Sequence, residues 1–96
     1  MFYVVLRRRG PEWNPSLPLE QQSGWAAHAE FMEGLVAARF VVLGGPLADE
    51  LTVVLAVEAA SEADVRETLE RDPWSGSHLV VERVDAWTIR LDGRTA

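Results

Sequence analysis

His28 is the residue of this chain whose type and position most directly suggest chemistry. It stands three residues after Trp25 and four before Met32, inside the proline-free run Leu19–Arg39. Trp25, Ala29, Met32, Leu35 and Val36 recur there at steps of three and four, so the run reads as an amphipathic helix with the imidazole on its apolar stripe. Glu30, Glu33 and Arg39 fall mostly off that stripe and can face water. An imidazole titrates near neutrality and can act as a general acid or base where it lines a cavity. The same ring can instead satisfy a backbone carbonyl as a core histidine. Local sequence leaves both roles open.

Asp72 is the second candidate. It precedes Pro73, the pairing that caps a following turn. It also ends a second helical segment, where the helix macrodipole disfavours an anion. One carboxylate oxygen is therefore available for capping and the other for a cationic partner. Gly44-Gly45-Pro46 lacks the phosphate-loop pattern. It reads either as a strand end needing glycine's freedom or as a place where a ligand approaches the main chain. Arg7-Arg8-Arg9 close the first strand, and side chains alternate between the faces of a strand. At most one or two of them can enter a pocket and hold an anion. Trp25, Trp74 and Trp87 read as core residues.

The elements that must position these groups follow from short apolar runs and their breakers. Phe2–Arg8 is a strand, broken by Gly10-Pro11, and Pro15 and Pro18 keep residues 10–18 irregular. Trp13 in that loop needs cover and predicts that the loop folds back on the body. The first helix is expected from Leu19 or Ser23 to Ala38. Phe40–Leu43 is a second strand stopped by Gly44-Gly45-Pro46, and Leu51–Val57 a third, paired with it as an antiparallel hairpin. Ser61 is the expected N-cap of a second helix that ends at Asp72-Pro73. Leu79–Leu91 is the fourth strand.

The order is β-α-β-β-α-β, which predicts a ferredoxin-like α+β domain: a four-stranded antiparallel sheet with both helices on one face. Phe40–Leu43 and Leu51–Val57 are apolar on both faces, where a sheet with one wet face alternates. Two helices cover one face only, so the other is expected to meet a second copy of the chain.

Composition narrows the function classes. Ninety-six residues make one domain, residues 1–96. A net charge of −6 argues against nucleic acid as partner. The chain has no cysteine, hence no disulfide, thiolate nucleophile or thiolate metal site. Its two histidines, His28 and His78, lie in different elements without metal-binding spacing. No metal, cofactor or membrane span is expected. The apolar-then-basic start reverses the order of a secretory signal, and the expected location is the cytoplasm.

Three segments, FYVVLRRRGPEW, GWAAHAEFMEGLVAARFVVLGGPL and RDPWSGSHLVVERVDAWTI, together resemble the YciI-like (YCII-related) family of small dimeric α+β barrel proteins. The resemblance runs over nearly the whole chain. It implies that His28 and Asp72 form an acid/base pair, and it matches the small residues before proline to Gly44, Gly45 and Pro46. Ala38-Arg39 and Asp49-Glu50-Leu51 depart from the family where glycine is common, and His78 is unexpected at its position. Activities in and near the family include dehydrochlorination and lactone isomerisation of hydroquinone-like or ring-cleavage compounds.

The expected function is thus a cofactor-free enzyme acting on a small anionic or phenolic molecule by proton transfer. His28 would be the acid/base, and Asp72 would orient it as the carboxylate of a catalytic triad does. Arg8, Trp25, Met32, Gly45, Pro46 and Trp74 would line the ligand site. The alternative is a non-catalytic homodimeric binding or accessory module.

Overall fold

The computed structural model describes residues 1–95. Four strands, β1 (Phe2–Arg9), β2 (Val41–Pro46), β3 (Thr52–Glu58) and β4 (Leu79–Trp87), form one antiparallel sheet in the order β2-β3-β1-β4. Helices α1 (Trp25–Ala37) and α2 (Glu62–Glu70) cross over between them. This is the ferredoxin-like α+β arrangement.

Alternation along the strands sorts side chains between two faces. Tyr3, Val5 and Arg7 of β1 and Val53, Leu55 and Val57 of β3 are buried on the helix side. Strand β4 keeps this face through a bulge: Leu6 pairs with Arg83 but Arg7 with Val81, so the inward positions change from Leu79 to Val84. Val65 and Leu69 of α2 join Val5, Leu55 and Val57 in the core. Ser61 caps α2 as expected, accepting the Asp64 amide at 3.1 Å.

Three boundaries differ from the sequence reading by more than one residue. Helix α1 starts at Trp25, and Leu19–Gln21 is a separate 3-10 turn, because Gly24 takes a left-handed φ of 74° at the helix N-cap. Strand β2 runs on through Gly44-Gly45-Pro46, which pair with Leu55, Val54 and Val53 of β3. It is an edge strand, where proline's missing amide costs no ladder bond. Strand β4 ends at Trp87 rather than Leu91.

The stripe of α1 is also less buried than its periodicity implies. His28 is the one buried residue of that helix; Trp25, Ala29, Met32 and Leu35 are half-buried and Val36 is exposed. The helix does not close on the edge of the sheet, and a cavity fills the interval. No helix of the described residues is long and apolar enough to cross a membrane.

Candidate active site

The cavity measures about 510 Å³, within the range of small-molecule sites. Its walls are Trp25, His28, Met32 and Val36 of α1, Val41 to Pro46 of β2, Val53 and Leu55 of β3, and Arg7 and Arg9 of β1, closed by Leu19, Glu33, Trp74 and Leu79.

His28 and Asp72, 44 positions apart in sequence, meet at one side of it. Nδ1 of His28 lies 2.8 Å from Oδ1 and 2.9 Å from Oδ2 of Asp72. Asp72 is 3% exposed and occupies the turn after α2, with Oδ1 accepting the Trp74 amide at 2.9 Å. It thus caps the turn, as Asp-Pro implies, while facing a basic partner. A second partner was not anticipated: Nη1 of Arg7 donates to Oδ2 at 2.9 Å. Burial alone would raise the Asp72 carboxyl. The hydrogen bonds from His28 and the Trp74 amide, the pull of His28 and the bond from Arg7 outweigh it and hold the group below the usual carboxylate range. Burial draws the Arg7 guanidinium below its ordinary value, against the hydrogen bond and charge of Asp72.

With Nδ1–H given to Asp72, the lone pair of a neutral ring sits on Nε2. Nε2 has no hydrogen-bond partner among the described residues, and the ring lines the cavity. The plane of the ring is fixed by Trp74, stacked on it with centroids 4.1 Å apart and planes 7° from parallel. Trp74 is itself held by Nε1–H donating to the Ser23 carbonyl at 2.9 Å. Its other face carries His78, at 4.6 Å and 14°. His78 is buried and shares hydrogen bonds with Ser23 Oγ at 3.0 Å and Ser77 Oγ at 3.1 Å.

Of the expected ligand-site residues, Trp25, Met32, Gly45, Pro46 and Trp74 line the cavity and Arg8 does not. Arg8 is exposed on the opposite face of the sheet. Arg7 and Arg9 hold the inward positions, because odd-numbered residues of β1 face the helices. Trp74 is core, 1% exposed, and Trp25 is half-buried; Trp87, expected in the core, is 45% exposed on the outer face. Trp13 does fold back, its ring edge-on to Trp74 at 6.2 Å. Among the described residues no group of three metal-ligating side chains is assembled.

Fold and site together define a ferredoxin-like α+β domain with a buried histidine–aspartate pair beside a ligand-sized cavity. No protein-family model matches the chain, and no curated protein matches it. Among solved structures it is similar to the 5-chloro-2-hydroxyhydroquinone dehydrochlorinase of Burkholderia phenoliruptrix AC1100, determined in complex with 2,5-dihydroxybenzoquinone. The TM-score is 0.68 at 26% identity, over 92% of this chain and 94% of that one.

Proposed function

We propose that this chain is a YciI-like, cofactor-free enzyme that moves a proton on a small phenolic or anionic molecule. The observation that carries this reading is the two-sided environment of His28. Its Nδ1 is fixed by a buried carboxylate while its ring borders a cavity large enough for a substituted benzene. Nε2 would take a proton from a hydroxyl, or from carbon next to a carbonyl or enol, and return it at another position. Asp72 would fix the tautomer and stabilise the imidazolium, and Arg7 would lie beside the developing negative oxygen. Trp25, Met32, Gly45, Pro46 and Trp74 would supply the walls. Similarity to a dehydrochlorinase of a hydroquinone supports the choice of substrate class.

One observation favours the non-catalytic module instead: the imidazole lies flat on Trp74 and is bonded to Asp72, as a purely structural histidine would be. Ring hydrogen–deuterium exchange of 2-hydroxyhydroquinone, followed by NMR, separates the two. The enzyme accelerates exchange, and His28→Gln lowers the acceleration roughly 100-fold or more. Binding without acceleration, or exchange that survives His28→Gln, rejects the catalytic reading.

We also propose a homodimer in the cytoplasm. The outer sheet face presents Phe2, Val4, Leu6, Leu43, Val54, Ala56 and Trp87, with Arg8, Thr52, Glu58, Arg83 and Asp85 around them. An apolar centre with a polar rim is the anatomy of a protein interface.

A further inference from the structure

We propose that the substrate carries a carboxylate, and that Arg9 is the residue that selects it. The proposal rests on the cavity being the substrate site and goes beyond the proton chemistry assigned to His28.

The cavity lining lacks the acidic excess of the protein as a whole. The chain carries a net charge of −6, yet two guanidinium groups and one acid, Glu33, line this wall. The two arginines are not equivalent. Arg7 is buried and has its counter-charge in Asp72. Arg9 is half-buried, two residues further along the same face of β1, and among the described residues its guanidinium spends one donor: Nε–H gives to the Glu50 carbonyl at 2.9 Å. Its guanidinium carbon lies 3.8 Å from the centroid of the Trp13 ring. Burial lowers its pKa, the charge of Glu50 opposes that, and the charge of Arg7 adds to it. A bound anion would relieve both costs.

Gripped by Nε and by one flat face, the guanidinium leaves its Nη1–Nη2 edge without a hydrogen-bond acceptor among the described residues. Two parallel N–H donors on a planar, immobilised group match the two oxygens of a carboxylate, and little conformational entropy remains to be lost on binding. A ring bound between Trp25, Met32 and the β2 backbone would thus present its reacting end to His28 and its carboxylate to Arg9. A neutral hydroquinone would leave that fork unpaired.

Two probes of the same ring test this: 2,5-dihydroxybenzoate and hydroquinone, titrated calorimetrically into the folded chain. The carboxylate should bind roughly tenfold to a hundredfold more tightly, the range for hydrogen bonds to a charged group. Arg9→Gln, with its fold checked by thermal melting, should abolish the preference and change hydroquinone binding by less than about twofold. Arg9→Lys, a point charge without the fork, should keep only part of it. Equal affinities in the native chain, no measurable binding of either probe, equal losses in Arg9→Gln, or a lysine as good as arginine would each overturn the proposal. His28→Gln should keep the preference. A native chain that shows the preference but does not accelerate proton exchange therefore rejects only the acid/base reading, and one that accelerates exchange without the preference rejects only the role of Arg9.

Discussion

A single ring nitrogen, Nδ1 of His28, faces both oxygens of Asp72, at 2.8 and 2.9 Å. The carboxylate it faces is fully committed, with Trp74 N–H on Oδ1 and Arg7 Nη1 on Oδ2. Three chain segments far apart in sequence thus converge on one buried charge. The arrangement orients the imidazole from behind and leaves its other nitrogen for the cavity.

Asp72→Asn tests how much the fold depends on that charge. Asparagine keeps an oxygen for the Trp74 amide, so the turn should survive. It leaves the Arg7 guanidinium buried without a counter-ion, beside a Met32 sulfur at 3.7 Å and with its Nε lacking a partner among the described residues. Breaking a buried pair in this way should cost about 3 kcal/mol in urea denaturation. Adding Arg7→Met should restore about 1 kcal/mol or more, since the stranded charge is then gone. Additive losses in the double variant would count against the coupling.

The same pair sets an acid limit to stability. The Asp72 carboxyl is held below its ordinary value in the folded chain, so it binds its proton less readily than in the unfolded chain. Its contribution is complete above the unfolded value of about 3.9 and is lost as pH falls through the lower folded value. Denaturation curves between about pH 6 and pH 2 should show native stability falling faster than that of Asp72→Asn. Parallel curves would mean that this carboxylate does not feel its partners.

The order of elements and both helices are legible in the sequence, and the family resemblance points to the His28–Asp72 pair, which β-α-β-β-α-β allows by bringing the helix ends to one face of the sheet. The placement of the arginines is not legible there. Both faces of β1 are apolar before Arg7, so neither Phe2-Val4-Leu6 nor Tyr3-Val5 announces which parity meets the helices. The sequence reading expects Arg8 at the ligand site, whereas the inward positions belong to Arg7 and Arg9. His78 was invisible as a partner of Trp74, since stacking depends on a turn, residues 74–78, whose path local propensity does not fix. The run through Gly44-Gly45-Pro46 looked like a strand end because glycine and proline usually stop a ladder, and only an edge position relaxes that rule.

Two non-glycine residues adopt a left-handed backbone. Arg39, just past the C-cap of α1, has a φ of 61°, and Glu50 in the β2–β3 turn has 60°. These are left-handed conformations that glycine adopts without a steric penalty. Arg39→Gly should therefore raise stability by about 0.5–1 kcal/mol, the strain relieved exceeding the added freedom of the unfolded chain. Glu50→Gly should gain less, because it also removes the charge near Arg9. Thermal melts showing a loss in Arg39→Gly would mean that its side chain contributes more than the strain costs.

Gly44 and Gly45 are adjacent on the cavity wall but differ in what a methyl group would meet. A Cβ at Gly44 would come within 2.6 Å of Leu55 Cδ2, whereas one at Gly45 meets nothing within 4 Å. Leu55 also lines the cavity and can yield into it. Gly44→Ala should then cost about 1 kcal/mol, at the low end for overpacking, while weakening ligand binding through lost volume. Gly45→Ala should leave stability nearly unchanged. The comparison is read by thermal melting together with titration of 2,5-dihydroxybenzoate.

The outer face of the sheet makes the last prediction. Leu43 is 63% exposed and Trp87 45% exposed on it, beside the half-buried Phe2, Val4, Leu6, Val54 and Ala56. Of the described residues after β4, Ile89 and Leu91 to Arg94 border its edge at Phe2, Leu43 and Trp87, with Arg94 over the Phe2 ring at 5.7 Å, while Leu91 stays exposed. A second copy applied sheet to sheet would bury the apolar centre and leave Arg8, Glu58, Arg83 and Asp85 at the rim. A standard interface removes roughly 1,600 Å² in total from water, enough for a stable pair. Sedimentation at micromolar concentration should give a species of two chains. Val54→Glu, at the middle of the face between Leu6 and Gly45, should shift it to one chain by burying an unpaired charge. Glu67→Lys, on the exposed side of α2, should leave the dimer intact. A native chain that sediments as a monomer would show that this face has another occupant.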